Sequence, residues 1–335
     1  MKIAILSPVA WRTPPRHYGP WEQMASNLAE GLLQKGLNVT LFATADSITA
    51  GTLKAVCPAG YEEDRSLDAK VQECLHISHL MEQAADFHLL HNHFDFLPLT
   101  WSRLISTPMV TTIHGFSSEK ILPVYERYND IGHYVSISHA DRSSRLRYAA
   151  TIYNGIQSED FPFCAQPSDY LLFFGRFHPH KGAHDAIRIA RDTGHRLLMA
   201  GIIQDRNYFD TAIAPYIDED QVSYIGAVGG ADRSRLLGQA KALLHPIYFD
   251  EPFGLSVAEA MHCGTPVIAY NRGSMPELIR HGHTGFLAAD AEAAIQAVKD
   301  IPQLRREDCH HHASTHFSQE KMVADYIRLY ERLLT

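Results

Sequence analysis

Residues 171–182 read LLFFGRFHPHKG. Four uncharged apolar residues, Leu171–Phe174, suit a strand covered on both faces, and Gly175 ends the run. A turn follows with Pro179 inside it and Gly182 at its end, and helical periodicity begins at about Ala183. Strand, turn and helix in that order open a βαβ pattern. The N-terminus makes the same start: Lys2–Leu6 (KIAIL) precedes Trp21, Met24, Ala25, Leu28 and Leu32 at helical spacing, and Gly36 ends that helix. A chain that begins the pattern twice is expected to hold two doubly wound domains.

The intervening segments agree. Leu37–Phe42, Leu89–His91, Met109–Ile113, His133–Ser136 and Thr151–Tyr153 read as further strands of the first half, and a polar loop runs from about Gln157 to Asp169. The second half continues with Leu197–Ala200, Val222–Ile225, Ala242–His245 and Val267–Tyr270. Strands separated by helices imply parallel sheets covered on both faces. The fold class is therefore α/β, with two Rossmann-like domains and a cleft between them. Ligands of such sheets lie beyond the carboxyl ends of the strands.

Composition narrows the function classes. The 335 residues are 45% hydrophobic and 20% charged, an ordinary globular balance. No run of eighteen apolar residues occurs, so no membrane span is expected, and the opening MKIAILSPVAWRTPPRHYGP reads as a first strand, not a signal peptide. Five scattered cysteines without a C-x-x-C pairing fit reduced thiols and a cytoplasmic location. The net charge of −8 argues against a nucleic-acid partner. Residues 1–155 carry 13 Lys and Arg against 15 Asp and Glu, and the remainder 17 against 23, so neither half offers a basic membrane-docking surface. His310, His311, His312 and His316 read as a polar loop before the last helix; no carboxylate or cysteine pattern completes a metal site.

The residues just after the strands carry the chemistry. Gly19 precedes the first helix, where backbone amides and the helix dipole favour an anion, although simple capping is the alternative. His91-Asn92-His93 and His114-Gly115 place polar groups at two strand ends, either for function or for a satisfied structural role. Arg176 and Lys181 bracket the turn of the opening stretch; a planar fork and a mobile ammonium suit a phosphate, and the alternative is a solvated turn.

After Ala242–His245 comes EPFGLSVAEA, residues 251–260. Glu251 precedes a helix whose first turn includes Gly254, Leu255 and Ser256, with free amides for a phosphate, and Leu255, Val257, Ala258 and Met261 are expected to pack inward. Glu259 lies eight residues on, about 12 Å of helical rise, beyond the roughly 5–9.5 Å of a glycosidase pair. Two carboxylates flanking a phosphate site suit two sets of sugar hydroxyls, as in a nucleotide sugar.

These residues resemble a retaining glycosyltransferase of family 4, with the GT-B fold. Glu251-Pro252-Phe253-Gly254 through Glu259 is similar to the family's E-x7-E motif, and Gly175-Arg176 with Lys181-Gly182 to its G-R…K-G motif. Asn154-Gly155-Ile156, Gly264-Thr265-Pro266-Val267, Gly273-Ser274-Met275-Pro276-Glu277 and Gly285-Phe286-Leu287 also fit in order and spacing. The resemblance implies domains at 1–156 (acceptor side), 157–316 (nucleotide-sugar binding) and a segment 317–335 crossing back to the first. It implies that Arg176 and Lys181 hold the donor diphosphate, that Glu259 accepts from ribose hydroxyls, and that Glu251 holds the transferred sugar with the backbone of Phe253, Gly254 and Leu255. His114 would stand near the reacting sugar, Gly19 near the diphosphate, and Gly226 beside the base. Gly19-Pro20 departs from the family's Gly-Gly, which puts that anion contact in question.

The implied reaction transfers a hexosyl unit from a UDP- or GDP-sugar to a hydroxyl acceptor with retention, without a metal or cofactor. A soluble or glycan acceptor is expected over a lipid. The rivals are a glycoside phosphorylase or nucleotide-sugar epimerase on the same fold, and a non-catalytic nucleotide-sugar sensor.

Overall fold

The computed structural model describes residues 1–116 and 118–335. They form two units, Met1–Gly155 together with Gln319–Thr335, and Ile156–Ser318. The first unit is built on seven strands, β1 (Lys2–Leu6), β2 (Asn38–Phe42), β3 (Thr52–Lys54), β4 (Leu89–Asn92), β5 (Met109–Ile113), β6 (His133–Ser136) and β7 (Tyr148–Thr151). All pair in parallel, in the order β3-β2-β1-β4-β5-β6-β7. Its helices include α1 (Pro20–Gln34), α2 (Ala69–Met81) and α3 (Leu122–Arg127).

The second unit repeats the plan. Strands β8 (Tyr170–Phe174), β9 (Arg196–Ala200), β10 (Val222–Tyr224), β11 (Ala242–His245), β12 (Val267–Tyr270) and β13 (Gly285–Ala288) form a parallel sheet in the order β10-β9-β8-β11-β12-β13. Helices α4 (Ala183–Asp192), α5 (Arg206–Tyr208), α6 (Gly230–Gln239), α7 (Leu255–His262), α8 (Met275–Leu278), α9 (Ala291–Asp300) and α10 (Arg306–His316) flank or connect these strands. In each sheet the chain reverses its direction of travel once, between β1 and β4 and between β8 and β11. Beyond the carboxyl ends at that reversal the loops diverge and leave room for a ligand.

Alternation along the strands explains why they read as unbroken apolar runs. Ile3 and Ile5 belong to one core cluster, Ala4 and Leu6 to another on the opposite face, and all four are fully buried. Burying each larger side chain contributes roughly 1.5–3 kcal/mol. The Ile3 and Ile5 face is covered by α1 and by the last helix, α11 (Gln319–Leu334), through Met322, Val323, Tyr326, Leu329 and Tyr330. A Cβ on Gly31 would stand 2.4 Å from Val323 Cγ2, so the two helices approach closely only because residue 31 has no side chain. Gln319 Nε2 donates to Asn27 O at 2.6 Å, and Asn27 Nδ2 to Gly155 O at 2.8 Å.

Two expectations are corrected. The strand expected at Thr151–Tyr153 is β7 at Tyr148–Thr151, a partly buried edge strand whose pairing slips beside Tyr134 and Val135. The histidine cluster is helix α10, not a loop: only Cys309 and Ala313 are buried, too few for a readable stripe. His310 Nδ1 contacts His262 O at 2.5 Å and His312 Nε2 contacts Leu278 O at 3.0 Å, so two of its imidazoles bond to backbone. Among the described residues no three His, Cys, Asp or Glu side chains are grouped to hold a metal ion. Within the segment expected at 317–335, the helix itself starts at Gln319.

Glu22 in the first turn of α1 is 3% exposed, and its Oε1 accepts the Trp11 amide at 3.3 Å. Burial lifts its carboxyl to about 7, against the amides of Glu22 and Trp11, which pull it down. A carboxyl raised in the fold stabilises fully below its unfolded value and loses that contribution as pH climbs to the folded one. Between pH 4.5 and 7 this group should therefore cost the fold about 3 kcal/mol. Urea unfolding across that range should show the decline in the wild type and a flatter profile in Glu22→Gln; parallel profiles would refute the assignment.

Candidate active site

At the carboxyl end of β8 the chain makes two close backbone contacts. A Cβ on Gly201 would stand 1.8 Å from Gly175 O, and Gly175 donates to Ala200 O at 3.0 Å. Gly201 in turn donates to Gly226 O at 2.9 Å, so the chain just after β9 links the loop after β8 to the loop after β10. Gly226 has a φ of +79° and open space where a side chain would project, which suits a planar group lying against it. Arg176 follows Gly175, and its Nη1 donates to Gln204 Oε1 at 2.9 Å.

The turn Pro179–Lys181 closes at Gly182 in the left-handed region, where a Cβ would lie 1.9 Å from Pro246 O. Only glycine permits this contact. Tyr248 N donates to His180 O at 2.8 Å and locks the turn to the segment after β11. Lys181 is thereby brought to Glu251: Nζ and Oε2 are 2.5 Å apart, both side chains about 15% exposed (15% and 16%). The ammonium also lies 4.7 Å from the centre of the Phe249 ring. Burial alone would raise the Glu251 carboxyl, but the ammonium overrides it and holds the group below the usual carboxylate range. His245 Nε2 is 3.7 Å from Glu251, beyond a hydrogen bond, and burial keeps its imidazole neutral.

The segment carrying Glu251 is clamped from the other side by residues 273–275. Gly273, at φ +52°, leaves no room for a Cβ, which would lie 2.4 Å from Glu251 N. Ser274 N donates to Glu251 O at 3.0 Å and Ser274 Oγ to Phe253 O at 2.7 Å. The Phe253 ring is buried against Phe317, so only its backbone is available to a ligand. Gly254, left-handed at φ +93°, starts α7, and no side chain caps that helix. Its first-turn amides are thus open to an anion. Val257, Ala258 and Met261 pack inward, but Leu255 is only half-buried, correcting its expected place in the core.

Glu259, two turns along α7, is 6% exposed and paired with Arg233 of α6. Burial raises its carboxyl, and the guanidinium opposes the rise. Arg233 escaped the sequence reading: an arginine on a polar helix, 26 residues before its partner, looks like a solvated face. Each glutamate of the motif thus has a private cation.

In the first unit, Gly19 starts α1 at φ +152°, without a side-chain cap and followed by Pro20 at the first helical position. A Cβ there would lie 2.9 Å from Pro15 Cβ and 3.0 Å from Glu22 Oε2, so the glycine admits the buried carboxyl. His114, 9% exposed, stacks on Trp21 with ring centres 5.8 Å apart, and burial holds its imidazole neutral, down to about 3. Its Nε2 is 2.9 Å from His93 Nδ1, while His93 Nε2 is buried without a partner. A buried N–H without an acceptor costs more than a bare lone pair, so His93 donates and His114 carries its proton on Nδ1. The His91 ring lies 4.2 Å from that of His93, but neither His91 nor Asn92 joins their hydrogen bond. His91 bonds Tyr330 and Thr112 at 2.5 and 2.8 Å, and Asn92 accepts the Phe94 amide at 2.8 Å.

Residues 161–316 match the family model described as "Glycosyl transferases group 1". The chain is 31% identical over 172 residues to the glycogen synthase of Mycobacterium tuberculosis (strain CDC 1551 / Oshkosh), covering 47% of this chain and 41% of that protein. It is 34% identical over 179 residues to the N-acetyl-alpha-D-glucosaminyl L-malate synthase of Bacillus anthracis, covering 49% and 45%. The chain therefore spans less than half the length of these two curated relatives. Among solved structures, AviGT4, a glycosyltransferase involved in Avilamycin A biosynthesis, is similar over 100% of this chain and 98% of its own, at 25% identity and TM-score 0.75. Anabaena Alr3699/HepE in complex with UDP is similar over 99% and 100%, at 18% identity and TM-score 0.75. The two parallel-sheet units are thus a GT-B fold, and the group 1 glycosyltransferase model matches within the second.

Proposed function

We propose that the protein is a retaining glycosyltransferase of the family-4 kind, which moves a hexosyl unit from a UDP- or GDP-sugar to a hydroxyl acceptor without a resident metal. The reading rests on one observation: Lys181, which follows β8 together with Arg176, pairs with Glu251 just before the uncapped start of α7, which follows the neighbouring strand β11. Arg176 would fork across diphosphate oxygens, and Lys181, shared between Glu251 and the phosphate, would take up the charge that grows as the glycosidic bond breaks. Glu251 would accept from hydroxyls of the transferred sugar, and Glu259 from those of the ribose. Attack from the leaving-group side retains configuration, with a diphosphate oxygen accepting the acceptor's proton.

Gly19 and His114 complete the proposal, the former offering a backbone amide and the latter a neutral Nδ1–H donor to a sugar oxygen. Neither half of the chain is basic, which supports a soluble or glycan acceptor over an anionic lipid surface. The relatives are named for glycogen and for L-malate, a glycan and a small molecule. No helix among the described residues is long and apolar enough to cross a membrane. The five free cysteines fit a reducing compartment, and a cytoplasmic location belongs to the same proposal.

Calorimetry with UDP, GDP and ADP, followed by their sugars, tests the donor assignment; no binding by any of them removes it. NMR of the product anomer separates retention from inversion, and sugar 1-phosphate formed from a glycoside and phosphate would favour a phosphorylase. Lys181→Met should slow turnover at least 100-fold. It should also lower stability by about 3 kcal/mol, because Glu251 is left buried without its cation. Adding Glu251→Gln should restore the stability but not the turnover; recovery of both would deny Lys181 a role in the reaction. His114→Ala should reduce kcat about 10- to 100-fold with nucleotide affinity unchanged, measured by steady-state kinetics and calorimetry.

A further inference from the structure

Arg233 is the one cation of the second unit that both pairs with a motif carboxylate and keeps part of its donor fork unused, among the described residues. One amino group, Nη2, contacts Glu259 Oε2, while Nε is buried and has no hydrogen-bond partner. The guanidinium lies 5.1 Å from the centre of the ring of Phe174, the last residue of β8, directly before Gly175 and Arg176. Arg233 itself comes early in α6, just after the glycine-rich loop that carries Gly226 and Gly229. A carboxylate has about four acceptor positions, so a single contact leaves Glu259 able to accept a vicinal diol.

We propose that Arg233 is a positioning residue of the donor site, which orients Glu259 toward the ribose diol of a nucleoside diphosphate. The inference rests on the assignment of Glu259 to the ribose made above. A buried glutamate without a cation would lose its charge, and with it the ability to accept from two hydroxyls; Arg233 preserves that charge. The guanidinium suits the task because it lies by the Phe174 ring while one amino group pairs with Glu259.

The test compares UDP (or GDP or ADP, if the wild type prefers it) with its 2′,3′-dideoxy analogue and with inorganic pyrophosphate, by calorimetry. Arg233→Leu should weaken the nucleotide about 30-fold, the scale of a charged hydrogen bond, and leave the dideoxy analogue and pyrophosphate within about 2-fold. Arg233→Lys, which keeps the charge and so guards against misfolding, should fall between, with the same selectivity for the hydroxylated ligand. Equal weakening of the nucleotide and its dideoxy analogue, or no weakening in either variant, overturns the inference while leaving the donor reading intact. A wild type that binds no nucleoside diphosphate, or does not discriminate against the dideoxy form, overturns the ribose assignment itself.

Discussion

The ion pair between Lys181 and Glu251 is possible only because three stretches of backbone touch. Gly182 lies against the carbonyl of Pro246, and Gly273 lies against the amide of Glu251. A side chain at either place would push the turn after β8 or the segment after β11 out of position by ångströms. The glycines therefore do more than permit turns; they set the distance at which an ammonium and a carboxylate meet away from bulk water. A pair so enclosed is costly to break from one side only, since the survivor remains buried.

The same economy of charge runs through the second unit. A donor with a diphosphate and two sugar rings asks for positive charge in the middle and acceptors at both ends. Carboxylates brought to such a site would repel the phosphates unless each were neutralised locally. Lys181 does so for Glu251 and Arg233 for Glu259. Under the proposed function this arrangement would separate recognition of hydroxyls from recognition of phosphate within a few residues of chain.

Most of the frame was legible because buried parallel strands are short, apolar and bounded by glycine or polar residues, as β1, β5, β8, β11 and β12 are. β3 was not, being three residues long and half-exposed at a sheet edge, and β13 begins with glycine and follows polar turn residues. Helix α10 hid behind its histidines. The glutamates, Arg176 and Lys181 could be read from spacing around two strand ends. Arg233 and Glu22 could not: their importance lies in burial and in partners remote in sequence or supplied by backbone, which periodicity does not report. Leu255 failed for a related reason, since the first turn of α7 faces the open end of the sheet and not its core.

The return of α11 to the first sheet has a bearing on how the molecule is made. Tyr326 and Tyr330 bond to Thr112 and His91 and close the face that Ile3 and Ile5 begin. During translation α1 can cover part of that face early, but the part that α11 closes stays open until residues 319–334 are made, after every strand of the second unit. The first sheet to emerge is thus completed after the second, and only the strip that α11 covers waits through the interval.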